Sequence, residues 1–151
     1  MFEKILYPTD FSDVSRKAIP YIKGFKSAGA KTILLLRIID EKKVKCISQG
    51  AAWSSREVAD YLNQTVQWLE KEAAAELEPL KAELIEAGFD VQAKVEIGMP
   101  HLKIVDIAEE EDVSVIILGS HGKSNLRAAL LGSVSDYVVR HAKKPVIVIK
   151  R

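Results

Sequence analysis

One cysteine, Cys46, is all the chain carries, so neither an internal disulfide nor a cysteine metal cage can be built. That scarcity suits a reducing interior. No apolar run approaches the ~20 residues that a membrane helix requires. The opening Phe2-Glu3-Lys4-Ile5-Leu6-Tyr7 lacks a basic stretch followed by the roughly 7–15 apolar residues of a signal peptide. The expectation is a cytoplasmic protein with no membrane partner. Surplus charge is missing too: 22 Lys and Arg face 21 Asp and Glu, a formal net charge of +1. Such balance, without a basic strip interleaved with aromatics, argues against a nucleic-acid partner. His101, His121 and His141 stand far apart and form no H-E-x-x-H array, so no dedicated protein metal cage is expected.

What is present is globular composition, 48% hydrophobic and 28% charged over 151 residues. A chain of that length buries roughly two thirds of its unfolded surface, which predicts a single domain over 1–151 without a staple. Five short apolar runs punctuate it: Ile5-Leu6-Tyr7, Thr32 to Ile39, Phe89 to Ile97, Val113 to Leu118 and Pro145 to Ile149. The second, fourth and fifth are nearly continuous and rich in β-branched residues, as in parallel strands covered on both faces. The third alternates, with Phe89, Val91, Ala93, Val95 and Ile97 on one side, and reads as a strand near a sheet edge.

Helical spacing fills the gaps. Ser12 is a plausible N-cap for a first helix through Val14, Ala18, Ile22 and Phe25, ending at Gly29, with a bend or an irregular start at Pro20. A second begins near Ser54, with Glu57 completing a capping box, and carries the stripe Leu62, Val66, Leu69, Ala73, Leu77, Leu80 and Leu84 as far as Gly88, bent at Pro79. A third follows Pro100, and the last spans Ser133 to His141 after a shorter piece around Leu126 to Leu131. Asp40 to Trp53 shows no periodicity and reads as a mobile loop. Strands alternating with helices predict an α/β fold, a doubly wound five-stranded parallel sheet with helices on both faces. Chemistry in such sheets sits beyond the carboxyl ends of the strands, which singles out Pro8-Thr9-Asp10, Asp40 and the segment from Gly119 onward.

That segment reads Gly119-Ser120-His121-Gly122-Lys123-Ser124, then seven residues, then Gly132-Ser133-Val134-Ser135. Gly122 permits a positive φ or a close ligand approach. Gly132-Ser133-Val134 places free amides at the start of the last helix, with the Ser133 and Ser135 hydroxyls as further donors, a ready anion site. Two glycine turns flanking a short helix suit a polyphosphate. The spacing is neither a Walker A loop nor a dinucleotide fingerprint. Ordinary turns with Ser133 as a simple N-cap account for the same residues equally well.

The chain resembles the universal stress protein family, in particular its ATP-binding branch. The family's nucleotide motif is glycine, two residues, glycine, nine residues, glycine, then serine or threonine; Gly119, Gly122, Gly132 and Ser133 match it without a gap. Lys4 to Ser12 resembles the family's first strand and loop, and Val138 to Val146 its ending, so the resemblance runs the length of the chain. It implies an adenine nucleotide alpha-hydrolase-like sheet of order 3-2-1-4-5. It also implies ATP as ligand, with Asp10 near adenine, the Ile38 backbone on the base, Gly119 and Gly122 at the ribose-phosphate turn, and Gly132, Ser133 and Val134 around the phosphates. Pro8, Thr9, Ser120, Lys123 and Ser135 complete the expected binding set. Mg²⁺ or Mn²⁺ would bridge the phosphates, and a homodimer would form through the terminal strand 145–149, which otherwise leaves an apolar edge open. No nucleophile, base and transition-state cation stand out as a set. A nucleotide-dependent regulatory or stress-response protein with little or no intrinsic ATPase activity is therefore the leading expectation; a slow or partner-activated hydrolase and a structural dimer without nucleotide are the rivals.

Overall fold

The continuous runs Thr32 to Ile39 and Val113 to Leu118 form inner strands of the sheet because both faces there are covered, whereas Pro145 to Ile149, equally continuous, forms a half-buried edge. The structure, a computed structural model, describes residues 1–48, 55–122 and 131–150. Trp53, Ser54, Lys123, Asn125, Arg127 and nearly all of the helical piece expected around Leu126 to Leu131 lie outside the described residues. The strands are β1 (Lys4–Pro8), β2 (Thr32–Asp40), β3 (Asp90–Gly98), β4 (Val115–Gly119) and β5 (Val146–Ile149). All pair in parallel, in the order β3-β2-β1-β4-β5.

Along the central strands, residues alternate between two cores. Ile5, Tyr7, Ile33, Leu35 and Ile117 pack with Ala18, Ile22, Leu77, Leu80 and Leu84 on one face. Leu6, Leu34, Leu36, Ile116 and Leu118 pack with Ile104, Ile107, Ala108 and Val138 on the other. Burying each of the leucine, isoleucine and valine side chains contributes about 1.5–3 kcal/mol before conformational entropy is charged against it. The alternating β3 is an edge strand, as its pattern predicts, and the other edge is β5.

The first helical span is two helices, α1 (Asp13–Arg16) and α2 (Ala18–Gly24). Pro20 has no amide to donate to Arg16, so the helix starts irregularly, with a break at Lys17. Ser12 is the N-cap, accepting from the Ser15 amide. The segment after β2 differs from the sequence reading: Glu41–Ser48 is a helix, α3. Asp40 Oδ1 accepts from the Lys42 amide at 2.9 Å and Lys45 pairs with Glu41 at 2.8 Å. Local bonds thus support α3, which is too short for its apolar period to stand out in the sequence. Helix α4 (Ser55–Glu86) continues through Pro79; α5 (Pro100–Glu110) and α6 (Ser133–His141) complete the set. The 32 residues of α4 span about 48 Å at 1.5 Å per residue. The nine of β3 reach only about 30 Å. The N-terminal turns of α4 consequently rise past the carboxyl edge of the sheet.

Candidate functional site

The chain lays β2 and β3 to one side of β1, then β4 and β5 to the other, so strand order reverses between β1 and β4. The loops after those two strands diverge and leave a crevice. A cavity of about 440 Å³ opens there, lined by Pro8, Thr9, Asp10, Ile38, Gly119, Gly122, Gly132, Ser133, Val134 and Ser135 among others. Ten of the twelve residues singled out from sequence therefore share one cavity. Ser120 is buried behind it, and Lys123 lies outside the described residues.

The β1 loop is held rigidly. The Thr9 amide donates to the Leu36 carbonyl at 2.9 Å, extending the ladder one residue past Pro8. Thr9 Oγ1 accepts from the Phe11 amide and from Ser15 Oγ. Asp10 Oδ1 accepts from the Ser12 amide at 3.0 Å, an Asx turn leading into the cap of α1. Beneath it Tyr7 Oη donates to the Ser15 carbonyl, and burial raises the Tyr7 phenol above its usual value. Backbone groups two residues apart on a strand point the same way. Since the Leu36 carbonyl faces β1, the amide and carbonyl of Ile38 face the same side, beyond where β1 ends.

The glycines answer to the protein's own packing. A Cβ on Gly119 would sit 3.1–3.2 Å from the backbone of Val14 and Ser15, so its absence lets α1 lie against β4. A Cβ on Gly122 would come 2.7 Å from Asp10 Oδ2. Gly122 needs no positive φ; among the described residues the glycines with positive φ are Gly29 and Gly88, which turn the chain after α2 and α4. Gly132 is the N-cap of α6, a role the sequence reading offered to Ser133, and no side chain caps the helix there. Its amide donates to the Ser120 carbonyl at 2.7 Å. Ser135 Oγ donates to the same carbonyl and to that of Gly132, tying α6 to the end of β4. The hydroxyl expected to serve a ligand is thus engaged in the scaffold. The first amides of α6 have no partner within the helix, and Ser133 and Val134 line the cavity. His121 is buried, with Nδ1 2.9 Å from Ser120 Oγ and Nε2 without a hydrogen-bond partner.

The family model for the universal stress protein family matches residues 1–150. The chain belongs to the universal stress protein family. Universal stress protein MJ0577 of Methanocaldococcus jannaschii is 42% identical, over all of this chain and 96% of that protein. Its solved structure superposes with a TM-score of 0.88, covering 100% of this chain and 97% of that one. Universal stress protein YxiE of Bacillus subtilis is 30% identical over 99% of this chain and its own full length. Two universal stress proteins at 21% and 19% identity, solved in complex with cAMP and, from Arabidopsis thaliana, with AMP bound, share the fold at TM-scores of 0.60 and 0.64. The sheet order 3-2-1-4-5 expected from the family is the one observed. No helix among the described residues is long and apolar enough to cross a membrane.

Sequence reasoning missed the far wall of this universal stress protein's cavity: Arg37 on β2, Lys43 on α3, Trp68, Leu69, Glu72 and Glu76 on α4, and Pro100 and Ile104 on α5. Pro100 at the start of a helix after a strand was a usable local signal. The α4 residues had none, since only the tertiary fold brings them to the carboxyl edge.

Proposed function

We propose that the crevice binds ATP and that occupancy switches the protein between regulatory states, with little or no hydrolysis of its own. The observation that carries the reading is one cavity joining three features: the Asp10 carboxylate, the Ile38 backbone beyond the end of β1, and the unpartnered first amides of α6. The carboxylate and strand backbone suit the amino group and ring edge of adenine. The glycine turns leave room for ribose, and the α6 amides meet phosphate oxygens with the helix dipole in their favour. That cradle offers amides and hydroxyls, which suit anions rather than a cation; Mg²⁺ or Mn²⁺ would arrive on the phosphates. The bound AMP and cAMP of distant relatives support an adenine nucleotide.

His121 gives no support to rapid turnover. Its Nδ1 is held by Ser120 and its Nε2 is shut away from solvent, so it is not placed to activate a water. Purified protein is expected to hydrolyse ATP more slowly than about 1 s⁻¹; faster turnover without a partner, removed by a substitution in the crevice, refutes the switch reading. The open edge of β5 is proposed to pair with a second copy, giving a dimer whose mass sedimentation equilibrium measures.

The direct test is calorimetry with ATP, AMP and GTP on wild type and Ser133→Pro. Ser133 is the first residue of α6 and exposed. Proline there removes one amide while fitting helical geometry. Losing a donor to a charged group predicts ATP binding weaker by about tenfold or more with an unchanged melting temperature. Equal affinity for the two proteins, or no binding at millimolar ATP, overturns the assignment. Mass analysis of nucleotide released on denaturation provides an independent check.

A further inference from the structure

The cavity extends beyond the residues assigned to the nucleotide. Ile33 and Leu35 of β2 face α4, while Leu34, Leu36 and Ile38 face α5 and α6. By the same alternation Arg37 and Ile39 lie on the α4 side. Both line the cavity, as do Trp68 and Leu69. The space therefore crosses the carboxyl edge of the sheet into a second compartment walled by α4.

Arg37 gives that compartment its chemistry. Its side chain is 15% exposed, and its Nε is buried without a hydrogen-bond partner. The guanidinium lies over the Phe11 ring, 5.5 Å from the centroid. Glu76 Oε2 stands 3.9 Å from Nε, too far for a hydrogen bond. Nε itself is closed off, so a ligand's acceptor would meet the guanidinium through the part of the side chain that lines the cavity, relieving the cost of a buried cation without a hydrogen-bonded acceptor. Nearby, Trp68 leaves 58% of its surface exposed at the rim, a large aromatic face beside an apolar wall.

We propose that this compartment binds a small organic monocarboxylate, its carboxylate on Arg37 and its apolar body against Ile39, Leu69 and the Trp68 indole. The planar guanidinium fork matches a carboxylate in bidentate geometry. Cations Arg37 and Lys43 face four carboxylates, Asp10, Asp40, Glu72 and Glu76, around the same cavity. That acidic surplus works against a dianionic phosphate more strongly than against a single negative charge held on the guanidinium. The acid sits beside the base end of the nucleotide crevice, since Arg37 and Ile39 flank Ile38. It is therefore a co-ligand rather than a partner in phosphate chemistry.

The chain has two tryptophans, so a Trp53→Phe background leaves Trp68 as the sole indole reporter. Titrating phenylacetate into that protein is expected to change Trp68 fluorescence saturably. Phenylacetamide, the same shape without charge, and inorganic phosphate are expected to bind roughly tenfold or more weakly. Arg37→Gln should weaken phenylacetate by a similar factor, Arg37→Lys by less, and Glu76→Gln should tighten it by removing a competing carboxylate. If Arg37→Gln does not fold by circular dichroism, the amide comparison and Glu76→Gln carry the test. Equal responses to acid and amide, no saturable signal from folded protein, or unchanged affinity in folded Arg37→Gln overturns the proposal. Competition by ATP that persists in Arg37→Gln places the acid in the nucleotide crevice and overturns it as well. Loss of ATP binding with phenylacetate binding intact counts against the nucleotide assignment alone.

Discussion

Gly122→Ala is the substitution that best separates what the ligand needs from what the fold needs. The new methyl would lie 2.7 Å from Asp10 Oδ2, well inside the ~3.5 Å at which carbon and its neighbours make favourable contact. Either the glycine turn or the carboxylate must move by several tenths of an ångström. The carboxylate is pinned, because Oδ1 accepts from the Ser12 amide at 3.0 Å and so fixes the entry to α1. Forcing a methyl into such a place costs about 1–3 kcal/mol. The backbone at Gly122 needs no positive φ, so alanine also stiffens the unfolded chain, which returns about 0.4–1 kcal/mol. The expected net loss is about 1–2 kcal/mol, read as a lower urea midpoint at constant m-value. A double-mutant cycle isolates the cause: in an Asp10→Ala background the same substitution should cost about 0.5 kcal/mol or less, a coupling of ~1 kcal/mol. An equal cost in both backgrounds refutes the contact as the reason for glycine. ATP affinity must then be compared at matched fractions of folded protein.

Gly119→Ala presses on the main chain of α1 rather than on a side chain, so no single partner substitution should rescue it. A melting temperature lower by roughly 2–8 °C is expected by differential scanning calorimetry, from about 1–2 kcal/mol in a domain of this size. Ser135→Ala removes a buried hydroxyl whose one proton is shared between the Ser120 and Gly132 carbonyls and should destabilise by about 1–2 kcal/mol in urea unfolding; a change within error would show that bond to be net neutral. At the surface, hydrogen bonding to Lys144 lowers the Asp112 carboxyl and raises the Lys144 ammonium. The depressed carboxyl contributes stability above its unfolded pKa that is lost as pH falls through its folded value; the raised ammonium contributes below its unfolded pKa and loses that contribution as pH rises through its folded one. Asp112→Asn, which tolerates the positive φ at that position, should flatten the fall of urea midpoint below about pH 4 without altering the neutral plateau by more than a surface pair is worth.

The sheet was readable because its central residues are apolar on both faces, a pattern that few other elements share. Ser12 as a cap and Gly29 and Gly88 as turns were readable for a local reason, their backbone roles being set by adjacent residues. Helix α3 was not: Glu41-Lys42-Lys43-Val44-Lys45 carries one half-buried apolar residue and is held by a cap and an ion pair. The two-part α1 and α2 turned on which side of Pro20 the strain is released. At the site, spacing identified the glycines but not their reasons, since Gly119 answers to α1 and Gly122 to Asp10, both about a hundred residues earlier. Arg37 sat inside an apolar run, and nothing local marked it as facing Phe11 and α4.

The position of the crevice also bears on how the chain assembles. Strands β1, β2 and β3 are consecutive and share long ladders, five paired positions between the first two and nine between the next. They can associate before residue 115 is synthesised. The seam from β1 to β4 has only two paired positions and joins residues 110 apart, so its loop-closure cost is met late. The crevice straddles that seam. A molecule lodged there grips the earlier and later halves together, and at a hundred times its Kd it would add about 2.7 kcal/mol to the folded state, across the seam with the fewest paired strand positions. Nascent or heat-opened chains would then be expected to part first along this line, exposing β1 to proteolysis on the β4 side while β1–β3 remain paired.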